Sequence, residues 1–404
     1  MKRLEHVRIL MYSHDTFGLG HLRRCRAIAH ALVERFKGLH ILIISGSPIA
    51  GAFDFRARVD FVKIPSVIKL HNGEYTSIDQ HIDIQETLEM RASMIRNTVD
   101  SFHPEIFIVD KEPLGLRGEL EDILRELKSR DCTLVLGLRD VMDSPALLSK
   151  EWGERHMLSK IEAYYDDIWV YGPEDFWNPL TGLDVSDGLM SRLCYTGFLD
   201  RTIPQSFSTI DEERRPYILV TTGGGGDGAQ LVRQVLSAYE NCSAHISHDA
   251  VVVLGPFMLA DDREEIFNRA NALDRVQIIE FENRIEKLID GADALVGMCG
   301  YNTFCEILSF DKRALIIPRM RPREEQFVRA VRAAELGLID VLEPQNAEDP
   351  QRMAAALQSV VTRPLPSSMN AKEMMTGLDT IATLVEDLIG IRSRPAFSVI
   401  EGGI

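Results

Sequence analysis

The feature that most restricts this chain is a rhythm that begins twice. Short apolar runs closed by turn residues lie at 7–13, 40–45, 60–64, 106–109, 133–138 and 167–170, with helical patterns over 22–36, 82–102 and 116–129 between them. The pattern restarts at 217–222, passes through a glycine run into a helix over 229–239, and continues with strands at 250–254, 276–279, 294–296 and 314–317. Such alternation predicts parallel sheets with helices packed on them. Between the halves, 200–216 carries Pro204, a Ser/Thr group and the charged run 211–215, which is a linker composition. The expected fold is α/β, with two Rossmann-like doubly wound parallel-sheet domains, 1–203 and 217–366, facing a cleft. A helical section over 367–390 is expected to pack back toward the first domain, with a loosely held tail from 392. At 404 residues the chain is long enough for two cores.

Composition removes several function classes. The 45 Lys and Arg against 61 Asp and Glu give a net charge of −16, which argues against a nucleic-acid ligand. A small anion needs only local positive potential and stays open. The cysteines (Cys25, Cys132, Cys194, Cys242, Cys299, Cys305) are scattered without a CxxC pair, as expected of reduced thiols in a cytosolic protein. Residues 1–6 run straight into a strand without a signal-peptide stretch, and no apolar run approaches a membrane span. A cytoplasmic location is expected, with attachment at the inner face of a membrane left open.

In doubly wound sheets, ligands sit beyond the carboxyl ends of the strands. Strand 7–13 ends in His14-Asp15-Thr16-Phe17-Gly18-Leu19-Gly20-His21-Leu22-Arg23-Arg24. Gly18 and Gly20 permit a tight turn and close backbone approach, and His21 opens the following helix. An imidazole suits proton transfer near neutral pH, so His21 is the first candidate base, with Asp15 and the Asp110/Glu112 pair after strand 106–109 in reserve. Arg23, Arg24 and Arg26 diverge around a helix, so one is expected to address the cleft and the others solvent. Leu138-Arg139-Asp140 is expected on the acceptor side. A dinucleotide site needs a third small residue where Arg23 stands and an acid ending the next strand, which instead ends Ser45-Gly46; NAD is disfavoured.

Strand 217–222 opens into Gly223-Gly224-Gly225-Gly226-Asp227-Gly228, whose uncovered amides at a helix start form an anion site, with Asp227 as the expected N-cap. No P-loop is present, and the following strand ends in Gly255 without a ribose-binding acid. Strand 294–296 leads to Gly297-Met298-Cys299-Gly300-Tyr301-Asn302-Thr303-Phe304-Cys305-Glu306. Asn302 or Thr303 is expected to cap this helix, its N-terminus to favour a diphosphate, and Glu306 to accept both hydroxyls of a ribose unless it closes a capping box on Thr303. The next loop brings Arg319, Arg321, Arg323 and Gln326 to the same rim, with one or two of the arginines expected to meet ligand. The pairs Asp166-Asp167 and Asp261-Asp262 lack DxD spacing, and no metal is expected.

The glycine loop, Gly300-x-x-Thr303-x-x-Glu306, Pro318 and Gln326 resemble glycosyltransferase family 28 and its relatives, which have the GT-B fold. The resemblance covers about 217–342. It implies that Glu306 binds the donor ribose, Thr303 and neighbouring amides the diphosphate, and Gln326 the sugar or ribose. It implies that the backbone of Phe281 to Ile285 reads the base. The sequence departs from the family at Met298-Cys299, where Arg-Ser is common. The segment 14–26 looks like a group of bacterial predicted glycosyltransferases, and Gly18-x-Gly20-His21-x-x-Arg24 is also similar to nucleotide-sugar hydrolases of nonulosonate biosynthesis. The function implied is hexosyl transfer from a nucleotide-diphosphate sugar, a UDP-sugar favoured, to an acceptor hydroxyl. It needs neither metal nor cofactor and serves cell-surface polysaccharide or glycolipid synthesis. By family analogy the acceptor is lipid-linked, with peripheral membrane contact. The alternatives are a nucleotide-sugar hydrolase or epimerase, or a non-catalytic sugar-nucleotide-binding protein.

Overall fold

The computed structural model describes residues 2–14, 19–69, 75–77, 82–202 and 215–392 of the chain. The first half holds β1 (Lys2–Ser13), β2 (Phe36–Ser45), β3 (Val59–Lys63), a small hairpin of β4 (Val67–Lys69) and β5 (Tyr75–Ser77), then β6 (Ile106–Asp110), β7 (Thr133–Arg139), β8 (Asp167–Tyr171) and β9 (Leu193–Tyr195). Apart from the hairpin they form one parallel sheet in the order β3-β2-β1-β6-β7-β8-β9. The second half holds β10 (Tyr217–Thr221), β11 (Asp249–Val253), β12 (Val276–Ile279), β13 (Ala294–Gly297), β14 (Arg313–Ile316) and β15 (Asp340–Val341). These form a second parallel sheet, β12-β11-β10-β13-β14-β15.

The apolar runs make central strands because both faces are covered; every residue of β6 and of β10 is buried. The helix Gly20–Arg35 buries Leu22, Cys25, Ile28, Ala29, Leu32 and Val33, the three-to-four spacing of a single stripe. The strand order reverses between β1 and β6 in one sheet and between β10 and β13 in the other. The loops that diverge at those two points follow Ser13, Asp110, Thr221 and Gly297.

Two local expectations are corrected. The section after 366 is not one helix: Pro366–Met369 and Ala371–Met374 are short 3₁₀ turns before the helix Gly377–Arg392. Gly377 abuts Gly197 and Phe198 so closely that a Cβ there would strike their carbonyls. The contact is stitched by Phe198 N donating to Met374 O (2.7 Å) and Gly377 N to Phe198 O (2.9 Å), and the helix packs on Gly20–Arg35.

Asp140 does not face an acceptor side. It is fully buried against Arg329 of the helix Glu325–Glu335, whose Nε and Nη2 donate to its two oxygens at 2.7 Å each while Nη1 donates to Cys299 O at 2.9 Å. Nearby, Phe176 and Phe198 meet Phe304 at ring-centroid distances of 5.6 and 5.2 Å, so the halves also share an aromatic core. Arg323 is likewise tied to the first half, to Asp143 (3.2 Å) and Glu151 (2.9 Å), and is no free cation for a ligand.

Candidate functional site

The register of β1 on β6 sets Ser13 beside Asp110, and the helix opening at Gly20 brings His21 over both strand ends. His21 Nδ1 lies 2.6 Å from Asp110 Oδ2. Arg24, three residues on and fully buried, grips the same carboxylate through Nε (3.1 Å) and Nη2 (2.6 Å). A carboxylate only accepts, so Nδ1 carries the proton and Nε2 keeps its lone pair. Burial lowers the His21 pKa to about 4; Asp110 opposes this, whereas Arg24 and Lys111 reinforce it. Burial alone would raise the Asp110 carboxyl, but Arg24 and His21 outweigh it and hold it well below the usual range.

Both Asp110 oxygens are engaged, so the aspartate orients His21 and is not itself placed as a base. Glu112 is paired with Lys111 at 2.9 Å. Asp15 and Gly18 lie outside the described residues. His14, not singled out in the sequence, is buried with its ring 5.6 Å from that of His21, and burial lowers its pKa to about 3.

In the second half, the glycine loop folds against the turn after β11. A Cβ on Gly225 (φ +89°) would strike the Leu254 carbonyl, and one on Gly255 the Gly223 carbonyl. Hydrogen bonds within the loop use the amides of Gly223, Gly225 and Gly228, whereas those of Gly224 and Gly226 have no backbone partner among the described residues. Asp227 is not the cap of Ala229–Cys242. That position is Gly228, and Asp227 is drawn away to Arg319. The helix Tyr301–Ser309 is entered through Gly300 with no side-chain cap, and open space lies where a Gly300 Cβ would stand.

Neither Asn302 nor Thr303 caps that helix. Asn302 Nδ2 donates to Gly20 O (3.1 Å) and its Oδ1 accepts from Arg201 Nη2 (2.8 Å), while Thr303 is buried against Gly297. Nor does Glu306 close a capping box. It is fully buried, its Oε1 accepts from Arg23 Nη2 across the cleft, and its Oε2 has no partner among the described residues. Burial raises the Glu306 carboxyl, against the pull of Arg23. Gln326 is buried with Oε1 near Arg319 N (3.4 Å); Arg321 is exposed.

Arg23, Arg26, His30, Arg201, Asn283 and Glu286 are among the residues lining a cavity of about 560 Å³, and Arg23 also reaches Glu306. Ile285 is buried and Phe281 half-buried against the core. None of the three arginines after His21 is simply solvated. The signal that could have found Arg24 is its spacing, since positions i and i+3 share a helix face.

The second half of the chain, residues 217–385, matches the model of the glycosyltransferase family 28 C-terminal domain. The protein is a glycosyltransferase. Among solved structures it is similar to the glycotransferase of kitacinnamycin, at 15% identity and a TM-score of 0.64 over 96% of this chain and 100% of the other. It is similar to Phytolacca americana UGT2 complexed with UDP-2-fluoro-glucose and pterostilbene, at 14% identity and a TM-score of 0.63 over 95% and 99% of the two chains. It is also similar to Acinetobacter baumannii MurG, at 12% identity and a TM-score of 0.55 over 96% and 100%. These likenesses establish the two-domain GT-B fold of this glycosyltransferase. None of the curated proteins compared with it matches. Among the described residues no helix is long and apolar enough to cross a membrane.

Proposed function

We propose that this glycosyltransferase moves a hexosyl group from a nucleotide-diphosphate sugar to an acceptor hydroxyl without a metal, with His21 as the base. The observation that carries the reading is the His21–Asp110 pair at one sheet's reversal point, on a helix whose next residues reach Glu306 at the other sheet. The acceptor hydroxyl gives its proton to His21 Nε2 as its oxygen bonds to the anomeric carbon. The bond from that carbon to the diphosphate breaks, and the departing charge falls on the free amides of the glycine loop and on the helix start at Gly300, Asn302 and Thr303. The Oε2 of Glu306, without a partner among the described residues, takes a ribose hydroxyl, and Gln326 and Arg321 contact the sugar or diphosphate.

A UDP-sugar is favoured, supported by the sequence likeness to family 28 and by the UDP sugar bound in the plant enzyme of similar fold. A lipid-linked or polysaccharide acceptor and contact with the inner membrane face follow by analogy alone.

His21→Ala should lower turnover about 10²- to 10⁴-fold while sparing nucleotide binding. Product formation and calorimetric titration with UDP measure the two separately, and full turnover in His21→Ala would remove the base assignment. Release of free sugar at the transfer rate, without acceptor, would instead favour hydrolysis.

A further inference from the structure

The strand end beside His21 carries a second histidine, which the reaction above leaves unused. His14 follows the last residue of β1, and its ring lies 5.6 Å from that of His21, edge to face. Among the described residues its side chain meets one hydrogen-bonding partner, the Tyr12 hydroxyl, 3.4 Å from Nδ1.

The network behind Tyr12 decides which atom holds the proton. Tyr12 is fully buried, and its hydroxyl donates to Glu119 Oε1. Arg91 donates to both oxygens of Glu119, from Nε at 2.8 Å and Nη2 at 2.7 Å, and from Nη1 to Pro65 O at 2.6 Å. The carboxylate only accepts, so it takes the single phenolic proton. Burial, then Glu119, raise the Tyr12 phenol well above its ordinary range, so that proton stays. Toward His14 the Tyr12 oxygen has only lone pairs to offer, and Nδ1 must bring the hydrogen. Nε2, on the far side of the ring from Tyr12, therefore carries a lone pair. Burial keeps the ring neutral, its pKa lowered to about 3 against the pull of Glu112, which Lys111 holds at 2.9 Å.

His21 is built the same way. A buried arginine–carboxylate pair stands behind each ring, Arg24–Asp110 for His21 and Arg91–Glu119, through Tyr12, for His14. Two neutral imidazoles lie side by side, and neither Nε2 has a partner among the described residues. One such nitrogen suffices for a base; two suit a substrate with two neighbouring hydroxyls.

We propose that His14 Nε2 accepts a hydrogen bond from the hydroxyl next to the one that reacts, so the molecule glycosylated is a sugar or other vicinal polyol, not a lone alcohol or phenol. The inference rests on the transfer reading with His21 as base. Two adjacent hydroxyls, each donating over about 2.8 Å, bridge rings at this separation. A lone alcohol would leave Nε2 desolvated and unpaired, the condition under which discrimination is steep.

Two measurements on the full chain test this. Nitrogen NMR at neutral pH should show His14 protonated on Nδ1 alone; a proton on Nε2 would overturn the proposal. Initial rates are then compared for methyl β-glucoside, glycerol, cyclohexanol and phenol, each with UDP-, GDP- and dTDP-glucose. The better vicinal substrate should exceed both monohydroxy compounds in kcat/KM by about 10-fold or more. His14→Ala should raise KM for that substrate about 10-fold with little change in kcat, and bring the ratio to within about twofold. His14→Gln, whose amide oxygen accepts near the place of Nε2, should restore most of the preference. Equal use of cyclohexanol or phenol by the unaltered protein defeats the proposal, as does an unchanged ratio in His14→Ala. So does a kcat that falls alike for all four, the mark of a side chain that merely packs on His21. Full turnover in His21→Ala with the vicinal preference intact would remove the base assignment alone, whereas no transfer to any of the four ends both readings.

Discussion

Among the arginine–carboxylate pairs that cross between the halves, Arg329–Asp140 and Arg23–Glu306 differ in how completely they are satisfied. Arg329 and Asp140 are fully buried; both carboxylate oxygens are taken, and the guanidinium also holds the Cys299 carbonyl. Arg23 and Glu306 form the other pair, in which one carboxylate oxygen is buried without a partner among the described residues and the arginine lines an open cavity. Taking charges from water is costly, so a pair persists cheaply only when every lone pair and proton is used. The first pair meets that condition and fastens the halves. The second leaves a polar vacancy beside a cavity, as suits a contact that a ligand joins or replaces.

The comparison would break most visibly at the complete pair. Arg329→Met leaves Asp140 buried and uncompensated and should cost about 3–5 kcal/mol of stability, read from the denaturation midpoint. Adding Asp140→Leu should return most of that loss; if Arg329→Met alone is harmless, the pair does not fasten the halves. At the incomplete pair, Glu306→Gln should weaken UDP binding by about 10- to 100-fold, equivalent to about 1.5–3 kcal/mol for a charged hydrogen bond, with little change in the denaturation midpoint. Because burial raises the Glu306 carboxyl, UDP affinity in the unaltered protein should already fall as pH drops through a value above the ordinary glutamate range.

A smaller effect concerns the base. His21 must be neutral to accept a proton, and its pKa is lowered to about 4, so kcat/KM should hold as pH falls through 6.5 and decline only near 4. Arg24→Met removes a charge that opposes the imidazolium and should move this limb upward; a limb at 6.5 in the unaltered enzyme would contradict the buried geometry. The smallest expected effect on affinity is that of Arg23→Ala, with UDP affinity altered no more than a few-fold. A large loss of affinity would mean that Arg23 binds the nucleotide directly and is not exchanged for it.

Much of the scaffold was legible in the sequence. Strands such as 276–279 and the helix start near 229 coincide with the observed elements because buried apolar runs and glycine turns are local signals. The very short strands β9 and β15 were not legible, since two or three residues carry no period. The capping assignments failed for one shared reason: Asp227 and Asn302 had better partners at a distance, Arg319 for one and Gly20 with Arg201 for the other. A tertiary partner displaced the local hydrogen bond that a cap would have made.

The sequence by itself determined that this chain builds two parallel α/β sheets and that His21, the glycine loop, Gly300 and Glu306 follow strand ends. Only the tertiary structure decided which of them meet. Asp110 lies 86 residues from Arg24, Asp140 lies 189 from Arg329, and Glu306 lies 283 from Arg23. Periodicity reports burial along a few turns of chain. Pairing over such separations depends on where each sheet reverses its strand order and on how the two reversal points face each other, which no local pattern encodes.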